Sequence, residues 1–235
     1  MLNLPPIELT RNNAFIFTAY MPFFKKHLKE LWDPLSLQEK SQANKFINEN
    51  LKNKYIISHG ILKHLLSAYL NIDPSNIHYI TNQFGKPFID NPHCQLQFNM
   101  SHSKDYVVYI IALDNQVGID IEWKDKDINL DEIYPLVLSS LEKKNYSTLN
   151  KEEQFSAFYD TWTKKESLIK AIGFGLSYTL QDIEILHSSQ NNNDYTIINN
   201  TPLYCYNFCK IEGYAGSASS NHKEINFIQI DLNIQ

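Results

Sequence analysis

The sequence predicts an α+β fold made of two similar halves that meet near residue 114. Three observations carry this prediction. Apolar residues at helical spacing are concentrated in two long stretches, 35–70 and about 131–172. Around them lie short runs of β-branched and aromatic residues bounded by turn residues, the pattern of antiparallel strands. The order strand, helix, strands is then read twice along the chain, although no residue-level repeat accompanies it. Segregated helices and meandering strands argue for α+β over α/β. The division predicted is an N-terminal subdomain of residues 1–114 and a C-terminal subdomain of residues 115–235.

The first half opens on a strand at 14–20. The stretch 35–70 follows as one helix or two, with Ile57, Ile61, Leu62 and Leu65 on an apolar face. Ser36 and Glu39 make a capping box at its start, and "NIDPSN" closes it with turn chemistry. Short strands are predicted near 77–80, 87–89, 95–99 and 106–113. In "FGKPFI" (84–89), Gly85 permits a tight turn and Pro87 enforces extension, which reads as a hairpin. The "DNQ" turn (114–116) leads into "QVGIDIEWK". There Val117, Ile119, Ile121 and Trp123 fall on one strand face, and Gly118, Asp120 and Glu122 on the other.

The second half turns helical after "WKDKD" and breaks at "GFG" (173–175). A strand meander is predicted to finish it: "DIEIL", "YTIIN", "LYCYNF", "GYAGSAS" and "INFIQIDL". The polar loop "HSSQNNND" (187–194) is predicted to have no function.

Composition excludes several classes. A chain of 235 residues with 43% hydrophobic content supports a real core, and 14 Tyr, 13 Phe and 3 Trp exclude disorder. A net charge of -5 argues against a nucleic-acid surface. "MLNLPPIELTRNN" has neither the basic nor the apolar region of a signal peptide, and "AFIFTAYMPFF" is too short to span a bilayer. Cys94, Cys205 and Cys209 are odd in number and lack zinc spacing, which suits reduced thiols in a cytoplasmic protein without membrane association.

Four constellations could carry chemistry. Asp120 and Glu122 alternate on one strand, about 7 Å apart, a spacing that suits either a wet face or two ligands to one hard cation such as Mg²⁺. Around "FYDTWTKKESLIKAIGFG" (158–175), Phe155 just before it and Phe158, Trp162, Ile169 and Ile172 within it form a stripe that Lys165 interrupts. A lysine there must meet an anion or bend out to water. Glu166 and Lys170 lie one turn apart, as a surface pair or as groups facing a phosphate–metal complex. Ser101 and His102, in "FNMSHS", are read at a strand–turn–strand junction, as phosphate donors or as a polar turn. Lys86 completes the set, able to reach a phosphate or to expose its backbone to a base, although alone its stretch is a hairpin signal and little more.

In this order, "GKPFI", "FNMSHS", "VGIDIEW" and "WTKKESLIKAIGFGL" resemble the signature blocks of the Sfp-type 4′-phosphopantetheinyl transferases. "GIDIE" followed by "WxxKESxxK" is the most specific part. The resemblance spans residues 35 to 176, with "EGYAGSAS" a looser match. It implies a pseudo-dimer of two α/β subdomains with coenzyme A bound in the cleft between them. It implies a Mg²⁺-dependent enzyme that moves the phosphopantetheine arm of coenzyme A to a serine of an apo carrier protein, acyl or peptidyl. Adenosine 3′,5′-bisphosphate is released.

By motif, Asp120, Glu122 and Glu166 match the magnesium-binding acids, and Glu166 is the candidate base. Lys165 and Lys170 match lysines that meet the phosphates. Ser101 and His102 match contacts to CoA phosphates, Asn99 belongs to the same block, and Gly85, Lys86 and Pro87 match the segment beside adenine. One departure is His59, where relatives often carry a CoA-binding arginine; Lys54 or Lys63 could substitute. The apolar run Ile133, Tyr134, Leu136, Val137 and Leu138 reads equally as a carrier-docking surface or as core. Because both halves sit in one chain, a monomer is expected. The rival readings are another Mg²⁺-dependent enzyme acting on a nucleotide diphosphate, a non-catalytic CoA-binding protein, and an α+β interaction module.

Overall fold

The computed structural model describes residues 8–175, 178–187 and 194–233. The first seven residues of the segment read for a signal peptide, Leu176 of the longest motif, and most of the "HSSQNNND" loop lie outside the described residues.

The first sheet has strand order β11 (Asn226–Asp231), β1 (Asn13–Tyr20), β5 (Tyr106–Leu113), β4 (Leu96–Ser103). The second has order β6 (Val117–Trp123), β10 (Tyr214–Ser220), β9 (Thr201–Asn207), β8 (Asp194–Ile198), β7 (Leu186–His187). A two-stranded ribbon pairs β2 (Tyr79–Thr81) with β3 (Pro87–Ile89).

The stretch 35–70 forms two helices, α2 (Leu37–Asn44) and α3 (Glu49–Leu70), after a short α1 (Leu28–Trp32). The Ser36–Glu39 capping box starts α2 as expected, and the Asn48 side chain accepts the Asn50 and Leu51 amides in the first turn of α3. The region 131–172 divides into α4 (Leu130–Val137), α5 (Ser140–Tyr146) and α6 (Lys151–Ile172), because Ser139–Glu142 and Asn150–Glu153 are further capping boxes. Helix α6 ends at Gly173, whose φ of 74° is the left-handed conformation that glycine tolerates.

Two differences from the sequence reading concern topology. "DIEIL" contributes the end of a 3₁₀ turn and only the two-residue β7 after it. "INFIQIDL" leaves the meander: β11 pairs parallel with β1, Asn13 opposite Asn226 through Thr18 opposite Asp231. The division at 115–235 therefore fails for the last strand, which completes the first sheet. A parallel partner contributed from so far along the chain leaves no local sequence signal.

The layers run α3, first sheet, second sheet, α6. Phe15, Phe17, Phe98, Tyr109 and Ile111 share one core with Ile57, Ile61 and Leu65 of α3. The opposite face of the same sheet, through Ala14, Ile16, Val108, Ile110 and Ala112, packs on Val117, Ile119 and Ile121 of β6. Leu168, Ile169 and Ala171 of α6 cover the far face of the second sheet. Burying each such Ile or Phe contributes about 1.5–3 kcal/mol. Trp123, on the same strand face as Ile119 and Ile121, is only partly covered, 37% exposed, and its ring lies against Tyr214.

Two details bring the acidic strand to its neighbours. A Cβ on Gly118 would lie 2.0 Å from the Ser167 carbonyl oxygen, so α6 rests directly on the β6 backbone. Strands β4 and β6 belong to different sheets but are tied by side chains. Asn99 Oδ1 accepts the Ile119 N–H at 3.1 Å, Ser101 Oγ donates to Asp120 at 2.8 Å, and Ser103 Oγ donates to Glu122 at 3.0 Å. Alternate residues of β4 thus face β6, the period-two rule seen from the other strand.

Candidate active site

Asp120 is 2% exposed, which removes the wet-face explanation of the acidic strand. Its Oδ1 receives the Ser101 hydroxyl at 2.8 Å and the Lys170 ammonium at 2.6 Å, and Lys170 Nζ also donates to Ser101 Oγ at 2.9 Å. Its Oδ2 is buried with no hydrogen-bond partner among the described residues. Burial pushes the Asp120 carboxyl up, and the bonds and charge of Lys170 with the bond of Ser101 oppose it.

Glu122 lies one pleat further along. Burial, followed by the charge of Asp120, pushes its pKa up to about 7 against the Ser103 bond and Lys170; Glu166 adds to the rise. Glu166 comes from α6, one turn before Lys170. Burial and then Asp120 raise it, while Lys170 and a hydrogen bond to Trp162 hold it back. Three carboxyl groups from β6 and α6 therefore share one field. They offer the all-oxygen donor set that a hard divalent cation prefers, and Asp120 Oδ2 is an unsatisfied acceptor within it. As placed, no three acidic, histidine or cysteine side chains among the described residues gather closely enough to hold a metal ion, and Lys170 holds the bonded oxygen of Asp120.

Cationic groups stand beside the acids. Ser101 and His102 lie within β4 itself, because the strand runs on to Ser103 and the turn is Lys104–Asp105. His102 is exposed at the α3 side. Desolvation by the side chains packed along its ring, then the charges of Lys170, His59 and Lys54, lower its pKa. Those four groups thus converge on one region. His59 stacks on Tyr55 at 4.0 Å, with Nδ1 3.6 Å from Glu39 Oε1. Burial alone would raise Glu39, but the His59 ring beside it, the capping bonds with Ser36 and the charge of Lys63 carry it down to about 2.

The two proposed substitutes at His59 differ. Lys63 is buried, donating to the Ile77 carbonyl, 3.3 Å from Glu39 and over the Tyr79 ring. It is a packing residue. Lys54 grips the β4–β5 turn, donating to the Lys104 carbonyl and pairing with Asp105 at 3.1 Å.

Three expected site residues have other employment. Lys165 is fully buried, and its Nζ donates to the Val137 carbonyl at 2.8 Å, to Glu142 at 2.5 Å and to the Leu180 carbonyl at 3.1 Å. The anion that a stripe-breaking lysine requires is thus Glu142 of α5, and a catalytic role for Lys165 is corrected. Lys86 is buried too, donating to the Ala171 carbonyl at 2.6 Å and the Val117 carbonyl at 3.3 Å; burial lowers its pKa to about 8. Its side chain closes the end of α6 and is not free to reach a ligand. Asn99 spends its carbonyl oxygen on the Ile119 amide.

Gly85 adopts a φ of 87° in the turn that Asn82 closes, and Pro87 begins β3. Asn82 Nδ2 donates to the Gly173 carbonyl at 2.8 Å, which fastens this loop to the C-terminus of α6. Sequence reasoning missed Asn82, Glu142, Glu39 and Ser103. Of these Ser103 was reachable, since it lies two residues after Ser101 on the same strand face.

In the run expected as core or docking surface, Val137 and Leu138 are buried and Ile133 and Tyr134 partly so; Leu136 is 62% exposed. Cys94, Cys205 and Cys209 are unpaired. No helix among the described residues is long and apolar enough to cross a membrane.

Two family models match the chain. Residues 116–221 match the 4′-phosphopantetheinyl transferase superfamily, and residues 21–113 match 4′-phosphopantetheinyl transferase, N-terminal. Among similar proteins, the 4′-phosphopantetheinyl transferase gsp of Aneurinibacillus migulanus is 30% identical over 198 residues, covering 82% of this chain and 79% of the relative. The 4′-phosphopantetheinyl transferase Sfp of Bacillus subtilis (strain 168) is 29% identical over 214 residues, 89% of this chain and 93% of the relative. A solved holo-(acyl-carrier-protein) synthase from Bacillus anthracis str. Ames, in complex with CoA (3′,5′-ADP), superposes with a TM-score of 0.40 at 18% identity, over 45% of this chain and 93% of that one.

Proposed function

This chain belongs to the 4′-phosphopantetheinyl transferase superfamily, and on that premise we propose that it transfers the 4′-phosphopantetheine arm of coenzyme A to a serine of an apo carrier protein. The observation that carries the proposal is the Asp120–Ser101–Lys170 cluster, joined by Glu122 and Glu166 and flanked by His102 and His59. It brings acidic groups and cationic groups together where the two sheets meet.

The reaction is attack by a serine hydroxyl on the β-phosphorus of the CoA diphosphate. The P–O bond to the bridging oxygen breaks, and adenosine 3′,5′-bisphosphate leaves. Lys170 is the side chain best placed to offset charge on the phosphate oxygens, and it can do so while bonded to Ser101 and Asp120. His102 and His59 provide donors for a second anionic group of the same ligand. Glu166 is the candidate base for the serine proton, since burial and then Asp120 raise its proton affinity above that of an ordinary glutamate. Asp120, Glu122 and Glu166 would hold Mg²⁺, which supplies positive charge beside the diphosphate when bound. With both halves in one chain, the working unit is a monomer, and three unpaired cysteines suit a cytoplasmic location.

The test is incubation with CoA, Mg²⁺ and several apo carrier proteins, followed by mass spectrometry of the carrier. A phosphopantetheine adduct on the carrier serine supports the proposal. Absence of an adduct on every carrier, with CoA intact, overturns it.

A further inference from the structure

We propose that Ser103 is the positioning residue for Glu122, setting the carboxylate for cation binding; the proposal rests on the acid site described under the proposed function. A serine hydroxyl has one O–H to give and lone pairs to receive. Ser103 Oγ accepts the Trp123 N–H at 2.9 Å, which leaves its own O–H for Glu122 Oε2 at 3.0 Å. The backbone of β6 thereby orients the very hydroxyl that holds a side chain of β6.

Ser101 does the same for the neighbouring acid. It receives Lys170 Nζ at 2.9 Å and gives its O–H to Asp120 Oδ1 at 2.8 Å. In each case β4 ties one oxygen of an acid, and for Asp120 the other oxygen is left without a partner. Two serines spaced by two on one strand thus hold two acids spaced by two on the next.

Glu122 needs such a tie more than Asp120 does. Its side chain is longer, and no lysine bonds to it among the contacts described. The like charges of Asp120 and Glu166 both act against its ionised form. Without the Ser103 bond, repulsion would favour rotamers that carry the carboxylate away from its fellow acids. Ser103 itself is rigidly placed. It precedes the Lys104–Asp105 turn, where Lys104 has a φ of 48°, and that turn is gripped by Lys54 and by the Met21 amide, which donates to the Asp105 carbonyl at 2.8 Å.

The experiment is Mn²⁺ titration by calorimetry on the full chain with CoA bound, for wild type, Ser103→Ala, Glu122→Ala and the double variant. Ser103→Ala is expected to weaken Mn²⁺ about 10-fold, the range seen when an outer-shell partner of a metal ligand is lost. CoA affinity without metal and the melting midpoint should stay near wild type, and in turnover assays KM for Mg²⁺ should rise more than kcat falls. In the Glu122→Ala background, Ser103→Ala should cost no further Mn²⁺ affinity. An unchanged Mn²⁺ affinity, or an additive loss in the double variant, overturns the proposal. So does a parallel loss of metal-free CoA binding, which would make Ser103 only a tie between the strands. A wild-type chain that binds no Mn²⁺ with CoA present would instead overturn the acid site itself, and Ser103 with it.

Discussion

Replacing Glu122 by glutamine tests whether the acid site is held against its own repulsion. The substitution keeps shape and removes the charge. In the folded chain Glu122 has a pKa of about 7, against 4.5 for the group at rest. A group raised in this way contributes stability that is complete below pH 4.5 and is lost as pH rises through about 7. The full gap corresponds to roughly 3 kcal/mol, and partial solvent access trims it to about 2 kcal/mol. Wild type should therefore lose about 2 kcal/mol relative to Glu122→Gln between pH 4.5 and pH 8, measured by urea unfolding in the presence of a chelator. Adding Mg²⁺ at pH 8 should then stabilise wild type more than the variant, because a ligand that binds only the folded state adds to its stability. A difference between the two proteins that stays flat across this range would refute the reasoning.

Gly118→Ala would drive a Cβ into the Ser167 carbonyl oxygen, 2.0 Å away, so α6 must lift from β6; a loss of about 3 kcal/mol in urea unfolding is expected, and a change below 0.5 kcal/mol would contradict the close approach. Lys165→Met leaves Glu142 without its cation and should cost about 3 kcal/mol in the same measurement, with CoA affinity unchanged; a selective loss of CoA affinity would return Lys165 to the site. Burial depresses Lys86 to about 8 from 10.5, so its contribution to stability rises with pH across that window. The unfolding free energy of wild type should rise relative to that of Lys86→Met from pH 8 to 10.5, and a constant offset would refute it.

Local pattern made the strands and the acidic face legible. Alternation in "VGIDIEW" separated Ile119 and Ile121 from Asp120 and Glu122, and both faces are occupied as that pattern requires. Capping chemistry at Ser36 and Glu39 set a helix start for the same local reason. What stayed hidden depends on partners far along the chain. Lys165 was read as needing an anion, but nothing near it in sequence pointed to Glu142 on another helix. The burial of Lys86 was not read because its acceptors are backbone carbonyls, which leave no mark in side-chain identity. Similarly, β11 carries an ordinary strand pattern, and only the open edge of β1 determines where it goes.

The pairing of β11 with β1 also bears on how the chain is made. Synthesis delivers β1 early and β11 after every other described element. Until then, the edge of β1 offers unpaired amides and carbonyls along a strand in which Ala14, Phe15 and Ile16 are fully buried once folded. Such an edge can recruit a strand from another nascent chain. The closing strand therefore acts as a safeguard against mispairing during translation, and removing 226–231 should be felt first as aggregation in the cell rather than as a change in the active site.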